Sequence, residues 1–493
     1  MMAWLDELIA GHPATAPALV EPDGLCLTYG ALRAAVAEAA EALREAGVAP
    51  GDRVMLIAEN SAAVAIIALA TSRLRAWFVP VNARLTAAEL AGLSAHAEPR
   101  MTLYTMAAPA ARAHAERDGA ESAGRLGALG LAARPAPSKP ERVAEDPAAQ
   151  VAALVYTSGT TGQPKGVMLS HRSLVWNAQI AAEMRGLGPQ DQLLLAIPAT
   201  HIMALATGLL AGLQAGASVR LMARFSVEGV LEGLAQGASV LSVVPQVYRQ
   251  ILARLEGVPP QAPQLRQLGC GGAPLDSALK AQVEAVFGLP LHNGYGMTEA
   301  GPGIASTTQG PLRADGSVGY PFPGLALRLD RPDAAGVGEL LVRGPGVMLG
   351  YYRAPGLTAE ALTEDGFLRT GDLVRQDPDG ALHLVGRAKE LIIRSGFNVY
   401  PVEVESVLLS CPGVLQAAVT GRPTDENEEV LAFVTLAPGT EAASVSDWLN
   451  ARLAPYKRPQ HLVVVEAMPM TAAGKIRKAE LVALALPSAG SPP

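Results

Sequence analysis

The segment YTSGTTGQPKG, residues 156–166, concentrates the residue types that bind polyphosphates. Its glycines, which allow tight turns with exposed backbone N–H groups, are Gly159, Gly162 and Gly166. Its hydroxyl side chains are Thr157, Ser158, Thr160 and Thr161. Lys165 adds a cation, but the spacing is not that of a Walker A loop, because a glycine follows the lysine where Ser or Thr is required. A different nucleotide chemistry is therefore predicted, with a Ser/Thr/Gly-rich surface turn as the alternative.

Three later segments contain residue types that suit the other parts of a nucleotide. In NGYGMTE, glycines flank Tyr295, which would let its ring lie flat against a base, and Glu299 offers oxygen ligands that Mg²⁺ accepts. In TGD, the Asp372 carboxylate suits two vicinal ribose hydroxyls, and in PMTAAGKIRK, Lys475 follows a glycine. Taken singly, these segments are also typical of a strand-to-loop corner, a turn aspartate and a solvated basic turn.

Together with GRAKELIIRSGFNVYPVEVE, these segments make the chain resemble the acyl-adenylate-forming superfamily, which includes acyl-CoA synthetases, stand-alone adenylation domains and luciferases. The five segments that carry the resemblance are residues 156–166, 293–299, 370–372, 386–405 and 469–478. The resemblance implies an enzyme that activates a small-molecule carboxylic acid as its adenylate and then transfers the acyl group to a thiol. ATP, Mg²⁺ and coenzyme A are the ligands that it implies.

The resemblance also implies roles for individual residues. Tyr295 would stack on adenine, Thr298 would touch the α-phosphate and Glu299 would hold Mg²⁺. Asp372 would bind the ribose, and Arg387 the same nucleotide. The other positions implied for nucleotide binding are Thr157, Ser158, Gly159, Thr160, Thr161, Gly162, Lys165, Gly272, Ala273, Asn293 and Gly294.

Three further positions in the C-terminal part have roles that the resemblance implies. Lys475 would reach the region between the carboxylate and the α-phosphate and stabilise the charge that develops during in-line attack, so its domain must close for the first step. Lys389 stands at the hinge that absorbs a domain rotation between the two steps. Gly396 would let the pantetheine arm of CoA pass close to the backbone.

The acid-binding side is expected around His201, which matches a histidine of the superfamily's pocket wall, although Thr200 stands where an aromatic residue is usual. The side chains and glycines expected to line this pocket are His201, Val243, Val244, Gly271, Gly294 and Met297. Because most are neutral or small, an apolar tail or ring is favoured. Fatty and aryl acids both fit, and the scarcity of aromatic wall residues slightly favours a fatty or other aliphatic acid.

Two classes of acid are not expected. No aspartate lies between Pro198 and Gly208 to pair with the ammonium of an amino acid. Gly294 stands where malonate-type relatives place an arginine before the tyrosine, so a second carboxylate would be buried without that partner, which is costly.

The composition excludes several other partners. Hydrophobic residues make up 49% and charged residues 17% of the 493 residues, and the net charge of −7 without a basic block predicts no nucleic-acid binding. The three cysteines, Cys26, Cys270 and Cys411, form no CxxC pair, so neither disulfides nor a zinc site is expected and a reducing cytoplasm is favoured. Near the N-terminus, Asp6 and Glu7 stand where a secretory signal would have basic residues, so no such signal is expected.

One uncharged run, residues 192–219, is long enough to span a bilayer. Proline, histidine and glycines interrupt it, which favours a buried strand, loop and helix over a membrane span.

The elements that must position these residues alternate between strand and helix, which predicts an α/β fold with parallel sheets covered by helices. Residues 133–149 are expected to form a surface connection, and Gly- and Pro-rich β segments follow from residue 310. The predicted organisation is an N-terminal domain over residues 1–386, a hinge over 387–390 and a small mobile α+β domain over 391–493. The last eight residues, LPSAGSPP, are typical of a frayed tail.

The leading functional hypothesis is an AMP-forming acyl-CoA synthetase. The alternative is a stand-alone adenylation enzyme that loads an acyl group onto the phosphopantetheine of a carrier protein. A third hypothesis, an adenylate-sensing or scaffolding relative without catalysis, is disfavoured by the presence of both Glu299 and Lys475. Nothing in the sequence indicates the oligomeric state or names the acid.

Overall fold

Two large sheets form the N-terminal part of the chain in the computed structural model, which describes residues 4–21, 23–158, 164–394, 397–424, 428–470 and 476–485. The first sheet has eight strands. Its parallel central strands are Val151–Ser158, Trp77–Asn82, Arg53–Ala58 and Met101–Thr105. Its antiparallel edge strands are Gly350–Tyr351 and Pro164–Ser170 on one side and Leu131–Pro135 and Glu121–Ser122 on the other.

The second sheet has nine strands, of which the central six run parallel. In spatial order these six are Leu291–Gly296, Gln267–Gly271, Val240–Val243, Gln192–Leu195, Ser218–Leu221 and Pro17–Val20. The antiparallel strands at its edges are Gly303–Ser306, Tyr320–Pro321 and Cys26–Thr28. Short apolar runs bounded by turn residues form these strands, as is typical of parallel sheets with helices on both faces.

Helices cover the sheets and begin at polar caps. The Oγ atoms of Thr28 and Ser170 and the Asp276 carboxylate each accept a hydrogen bond from a backbone N–H in the first turn of the helix that follows. The α-helices are Tyr29–Glu45, Ala62–Arg73, Ala87–Ala97, Pro109–Asp118, His171–Met184, Ala211–Gln214, Val227–Ala235, Pro245–Leu255, Ser277–Phe287, Pro355–Ala361, Pro401–Leu409, Ala442–Arg452 and Lys478–Ala485. A π-helix covers Met203–Leu210. The 3₁₀ helices are Leu5–Ile9, Gly124–Leu129, Thr298–Ala300, Ala388–Glu390 and Pro455–Lys457.

Smaller sheets follow the two large ones. A four-stranded antiparallel sheet consists of Ala326–Asp330, Val337–Arg343, Leu368–Gln376 and Leu382–Arg387. A two-stranded hairpin, Ile392–Arg394 and Phe397–Val399, precedes a three-stranded sheet of Val414–Pro423, Glu428–Leu436 and His461–Val464. Apolar side chains of this C-terminal part form a core of their own around Val404, Val419 and Val434.

The α/β fold class is confirmed, with a large N-terminal part that contains both sheets and a smaller C-terminal part. The run 192–219 forms a strand, a loop, the π-helix, a short α-helix and the start of the next strand, as predicted in outline. The connection predicted at 133–149 begins three residues too early, because residues 133–135 pair as an edge strand with Met101–Thr105. Across the part of the chain that is described, no helix has both the length and the apolar composition needed to cross a bilayer. The predicted frayed tail, 486–493, lies outside the described residues.

Candidate active site

The site lies where two neighbouring parallel strands of the second sheet end. Strands Gln267–Gly271 and Leu291–Gly296 place Gly271 directly opposite Gly294. In open α/β sheets, ligands bind beside the carboxyl ends of such strands. Gly272, which follows the first strand, has a φ of +78°, a conformation that side-chain-bearing residues rarely adopt, and Ala273 after it is exposed. These residues leave an open edge of backbone beside the segment that contains Tyr295.

The nucleotide-binding residues predicted on separate segments meet at Tyr295. The Tyr295 hydroxyl donates a hydrogen bond of 2.5 Å to Oδ2 of Asp372, and Nε of Arg387 lies 3.0 Å from Oδ1 of the same carboxylate. Asp372 and Arg387 are paired residues on adjacent strands of the four-stranded sheet. Burial and the nearby Asp372 carboxylate raise the pKa of Tyr295 well above its usual range, so its hydroxyl stays protonated and donates.

A turn with its own hydrogen bonds fixes the backbone at Asp372. Its backbone N–H donates to Oγ1 of Thr370 at 3.0 Å, and that hydroxyl donates to the Leu340 carbonyl at 2.7 Å. Gly371, between the two, has a φ of +69° and so allows the turn. The carboxylate is 1% exposed and its orientation is set before any ligand arrives.

A second group of predicted residues is linked by Tyr351. The Tyr351 hydroxyl donates to Oε1 of Glu299 at 2.9 Å, and Nζ of Lys165 lies 5.1 Å from the centre of the Tyr351 ring. We call residues 156–166 the phosphate-loop segment. Strand Gly350–Tyr351 pairs with Pro164–Ser170, the strand that leaves this segment, which explains why Tyr351 lies close to Lys165. Thr298 and Glu299 lie in a buried 3₁₀ turn directly after the strand of Tyr295. Glu299 and Lys165 are therefore brought to one edge of the site, on either side of one tyrosine.

Two predicted residues have a structural contact that the sequence did not indicate. Asn293 is buried, and its Nδ2 donates to the Ser317 carbonyl at 3.1 Å, so this donor is already engaged within the protein. Gly166 was expected to be a turn glycine, and this prediction is wrong. It lies in a strand opposite Tyr156, and a Cβ there would come within 2.9 Å of Cδ1 of Leu154, so its small size serves packing.

Met203 links His201, one of the residues predicted to bind the acid, to Gly271 and Gly272 at the strand ends. His201 is half-buried in the loop before the π-helix, and its Nδ1 accepts a hydrogen bond of 3.4 Å from the Met203 backbone N–H. The Met203 sulfur lies 3.3 Å from the position that a Cβ on Gly271 would occupy and 3.9 Å from that on Gly272. Met203 therefore packs beside both glycines. Of the other expected wall residues, Val243 is fully buried, and Cγ1 of Val244 lies 3.6 Å from the same position on Gly272.

Several predicted residues lie outside the described part of the chain. They are Gly159, Thr160, Thr161, Gly162, Gly396 and Lys475. For Thr157 and Ser158 the structure establishes that their strand pairs with the strand that contains Lys165. Lys389 is exposed in the 3₁₀ turn Ala388–Glu390.

One ion pair connects the segment after Lys475 to the N-terminal part. Nη2 of Arg477 lies 3.7 Å from Oε1 of Glu89, in the helix Ala87–Ala97. At the other end of this helix, Nδ1 of His96 lies 2.7 Å from the Tyr156 hydroxyl, in the strand that enters the phosphate-loop segment. Arg477 and the strand that contains Tyr156 therefore contact the same helix.

Tyr351 and Met203 were missed by the sequence analysis. Tyr351 stands in a Gly- and Tyr-rich β segment where nothing in the spacing distinguishes it from a core residue, and Met203 follows the predicted His201 by two positions in an apolar run. Only the pairing of Gly350–Tyr351 with the phosphate-loop hairpin, and the packing of the π-helix on the second sheet, bring these side chains to the site.

Comparisons with known proteins agree with this geometry. The AMP-binding enzyme family matches residues 5–352, and the C-terminal domain of AMP-binding enzymes matches residues 403–475. A feruloyl-CoA synthase of Amycolatopsis sp. is 37% identical over 477 residues, and a sulfoacetate-CoA ligase of Cupriavidus necator is 34% identical over 485 residues, each alignment covering 94% of both chains. The crystal structure of ATP-bound MatB from Rhodopseudomonas palustris superposes with a TM-score of 0.86 at 30% identity, over 98% of both chains. This chain belongs to the AMP-binding enzyme family.

Proposed function

We propose that the protein is an AMP-forming carboxylate-CoA ligase. In the first step a carboxylate oxygen of the acid attacks the α-phosphorus of ATP, and pyrophosphate leaves. In the second, the thiol sulfur of CoA attacks the acyl carbonyl, and AMP leaves. The observation that carries the proposal is the meeting of Tyr295, Asp372 and Arg387 beside the strand ends, since these groups suit a base, a ribose and a phosphate. Both relatives named above are CoA ligases or synthases by name, which favours CoA over a carrier-protein acceptor.

The nucleotide fits the described residues as follows. Asp372 would exchange its bond to the Tyr295 hydroxyl for the ribose hydroxyls, and Arg387 would keep the carboxylate charged and oriented. Thr298 would donate to the α-phosphate. Lys165 and the loop 159–162 would bind the terminal phosphates.

Glu299 is suited to hold Mg²⁺ beside the phosphates. Its carboxylate is buried, accepts from a neutral tyrosine hydroxyl, and forms no ion pair with any cation among the residues that the structure describes. Such a buried charge favours a metal ion as its partner, and carboxylate oxygen is the ligand that Mg²⁺ prefers. When bound with ATP, the ion would neutralise phosphate charge as pyrophosphate leaves.

We place the domain boundaries where the sequence predicts them, with residues 1–386 and 391–493 rotating about a hinge that contains Lys389. The contact of Arg477 with Glu89 supports a closed arrangement that would bring Lys475 to the phosphate-loop side for the first step. Gly396 would then line the path of pantetheine in the second step. Three free cysteines and the ATP and CoA substrates support a reducing compartment such as the cytoplasm.

The acid remains a carboxylate with an apolar body, fatty or aryl, and His201 would contact it near the reacting carboxylate. The names of the relatives state different acids, so the activity panel has to be broad. The test measures ATP-dependent pyrophosphate release with fatty, aryl and dicarboxylic acids, each with and without CoA. Release that rises with CoA for one class of acid is expected. Release that is indifferent to CoA would instead indicate a carrier protein as the acceptor.

Lys475 provides a separate test of the first step. The variant Lys475→Ala should lose adenylate formation, since the charge that develops during in-line attack is no longer stabilised. Thioester formation from supplied acyl-AMP should remain within a few-fold of that of the unmodified protein and is the internal control for folding. An equal loss in both steps would contradict the assignment of Lys475 to adenylation.

A further inference from the structure

Met203 also lines a narrow crevice outside the predicted nucleotide residues. Its cavity volume is about 20 Å³, which is room for a group about the size of one water molecule, such as a single oxygen at the end of a ligand. Its walls are strand Gln192–Leu195 of the second sheet and the π-helix Met203–Leu210, with Ser242 on the neighbouring strand. Arg185, the residue directly after helix His171–Met184, is the one charged side chain in this otherwise neutral lining, all of which lies within the described residues.

The Arg185 guanidinium is held by carbonyl groups rather than by a carboxylate. Its Nε donates to the Ala181 carbonyl at 2.8 Å, and its Nη2 donates to the Thr207 carbonyl. Its Nη1 has no acceptor among the residues that the structure describes. Guanidinium nitrogens are donors in a fixed plane, and the half-buried Arg185 at the crevice therefore keeps one donor that the protein does not engage.

The nearest carboxylate does not neutralise this arginine. Asp191 accepts two hydrogen bonds from Arg266, at 2.8 and 2.7 Å, and a third from the Ser239 hydroxyl at 2.8 Å. Desolvation by burial, followed by the positive charge of Arg266, lowers the pKa of Arg185 to about 10. The side chain is therefore cationic at neutral pH in a place that penalises the charge.

The crevice and the strand ends at Gly271 and Gly272 share one side chain, Met203. Met203 lines it and at the same time lies beside Gly271 and Gly272 at the strand ends. Thr207, whose carbonyl binds the guanidinium, lies one turn further along the π-helix and donates through Oγ1 to the Met203 carbonyl at 2.7 Å. Methionine is flexible, so the barrier between the glycines and the arginine can move aside for a ligand.

The π-helical form of Met203–Leu210 is itself informative. π-helical turns are rare and occur frequently at functional sites. Here the carbonyl of Thr207, a residue of the π-helix, accepts the hydrogen bond from the guanidinium.

We propose that Arg185 recognises an oxygen acceptor at the far end of the acid, away from the carboxylate that is activated. The substrate class is then a carboxylic acid with a hydroxyl, alkoxy or anionic oxygen at its distal end, in place of the plain apolar tail or ring expected from the sequence. This inference rests on the proposed ligase function, because it describes the acid that the ligase selects. The Ala181 and Thr207 carbonyls hold the arginine in place, and the distal oxygen completes its hydrogen bonds.

The test uses two matched pairs of acids: 3-phenylpropanoic with 3-(4-hydroxyphenyl)propanoic acid, and hexanoic with 6-hydroxyhexanoic acid. We expect kcat/KM for CoA-dependent pyrophosphate release to be about ten- to hundredfold higher for the oxygen-bearing member of at least one pair, the gain typical of a hydrogen bond to a charged group. Arg185→Met should remove that preference and leave the plain acid within about twofold. Arg185→Lys should retain part of it. The control Arg254→Met removes an equal charge from an exposed position outside the crevice and should change neither value.

The outcomes separate the inference from the function on which it rests. Equal rates for both members of each pair, or a preference that survives Arg185→Met, would overturn the inference and leave the ligase intact. If no acid gave CoA-dependent release, the proposed function would fail. Calorimetric binding of the same acids to the unmodified protein and to Arg185→Lys would then decide the inference alone, since it requires tighter binding of the oxygen-bearing acids and a weaker preference in the variant.

Discussion

Two charged side chains, the buried Asp372 and the half-buried Arg185, are held in different ways. The Asp372 carboxylate, on the nucleotide side, receives the Tyr295 hydroxyl and the Arg387 guanidinium at 2.5 and 3.0 Å. Arg185, on the acid side, has no ionic partner among the described residues, and carbonyl groups engage only part of its guanidinium. A charge with an ionic partner inside the protein is oriented before its ligand binds. A charge without an ionic partner gains its remaining hydrogen-bond partner from the ligand.

This difference indicates that separate residues carry the chemistry common to the family and the selectivity of each member for its acid. All members of an ATP-dependent family must bind the same ribose, and the residues for it come from segments that are recognisable in the sequence. The acid varies between members, as the names of the two relatives illustrate, and the residue that reads it here lies in no such segment. Variants on the two sides should therefore change different kinetic constants.

The largest effect is expected on the nucleotide side. Asp372→Asn keeps the shape of the side chain but removes the charge that Arg387 and the ribose share, so kcat/KM for ATP should fall about 100-fold, or roughly 3 kcal/mol. The preference among acids should not change. Pyrophosphate release at varied ATP measures both. Asp365→Asn, at an exposed aspartate paired with Arg328, is the matched control and should have no effect. A loss below threefold for Asp372→Asn would show that the ribose is bound elsewhere.

A smaller effect is expected at the link between Glu299 and Lys165. Tyr351→Phe removes the hydroxyl that donates to Glu299 but keeps the ring beside Lys165, so the KM for MgATP should rise about five- to tenfold, the effect of one hydrogen bond. Titration of activity with Mg²⁺ should shift in the same direction. Tyr352→Phe is the control, because the hydroxyl of this neighbouring tyrosine donates to Glu141 instead. Equal effects of the two variants would remove Tyr351 from the site.

The contact between the two parts of the chain should matter less. Glu89→Gln keeps the hydrogen bonds by which this side chain caps its helix but removes the ion pair with Arg477, which is about 40% exposed on both sides and so worth at most about 1 kcal/mol. Adenylation should slow about two- to threefold at low salt, and the difference should vanish at high salt. Glu480→Gln removes the other partner of Arg477 and serves as the comparison. An equal slowing of thioester formation from acyl-AMP would contradict a role confined to the first step.

A third ionisable group, the buried His171, should affect stability without affecting catalysis. Its Nδ1 accepts from the Leu5 backbone N–H at 3.3 Å, and burial, followed by the charge of Arg75, lowers its pKa to about 3. Between pH 6.5 and 3 the unfolded chain binds a proton that the folded chain does not, so stability falls with pH in this window by about 1.4 kcal/mol per unit. Denaturant unfolding across this range should show a shallower pH slope for His171→Asn, with kcat near pH 7 unchanged. An identical slope in the variant would mean that His171 does not titrate as buried.

The sequence predicted the elements of the site better than its contacts. Short apolar runs ended by glycine predicted the strands that contain Gly271 and Gly294, because strand propensity and turn chemistry are local. The bond between Tyr295 and Asp372 joins residues 77 positions apart, and it exists only because the four-stranded sheet packs beside the strand ends.

Arg185 shows why one part of the acid side was not predicted. An arginine at the end of an amphipathic helix is typical of a solvated cation that interacts with the helix dipole. The sequence gives no reason to expect it at the wall of a crevice. The strand Gln192–Leu195 and a π-helix enclose it only in the folded chain. Periodicity does not distinguish a π-helix from an α-helix, so the direction of the Thr207 carbonyl could not be inferred either.

The most direct measurement of the central claim follows the fate of labelled ATP in a single turnover. The protein, ATP labelled in the α-phosphate and an accepted acid are mixed without CoA, and the products are separated before and after CoA is added. The account predicts that an acyl-adenylate accumulates on the protein with release of pyrophosphate, and that CoA converts it to acyl-CoA and labelled AMP. Formation of labelled ADP, or an acyl-adenylate that CoA leaves unchanged, would contradict it.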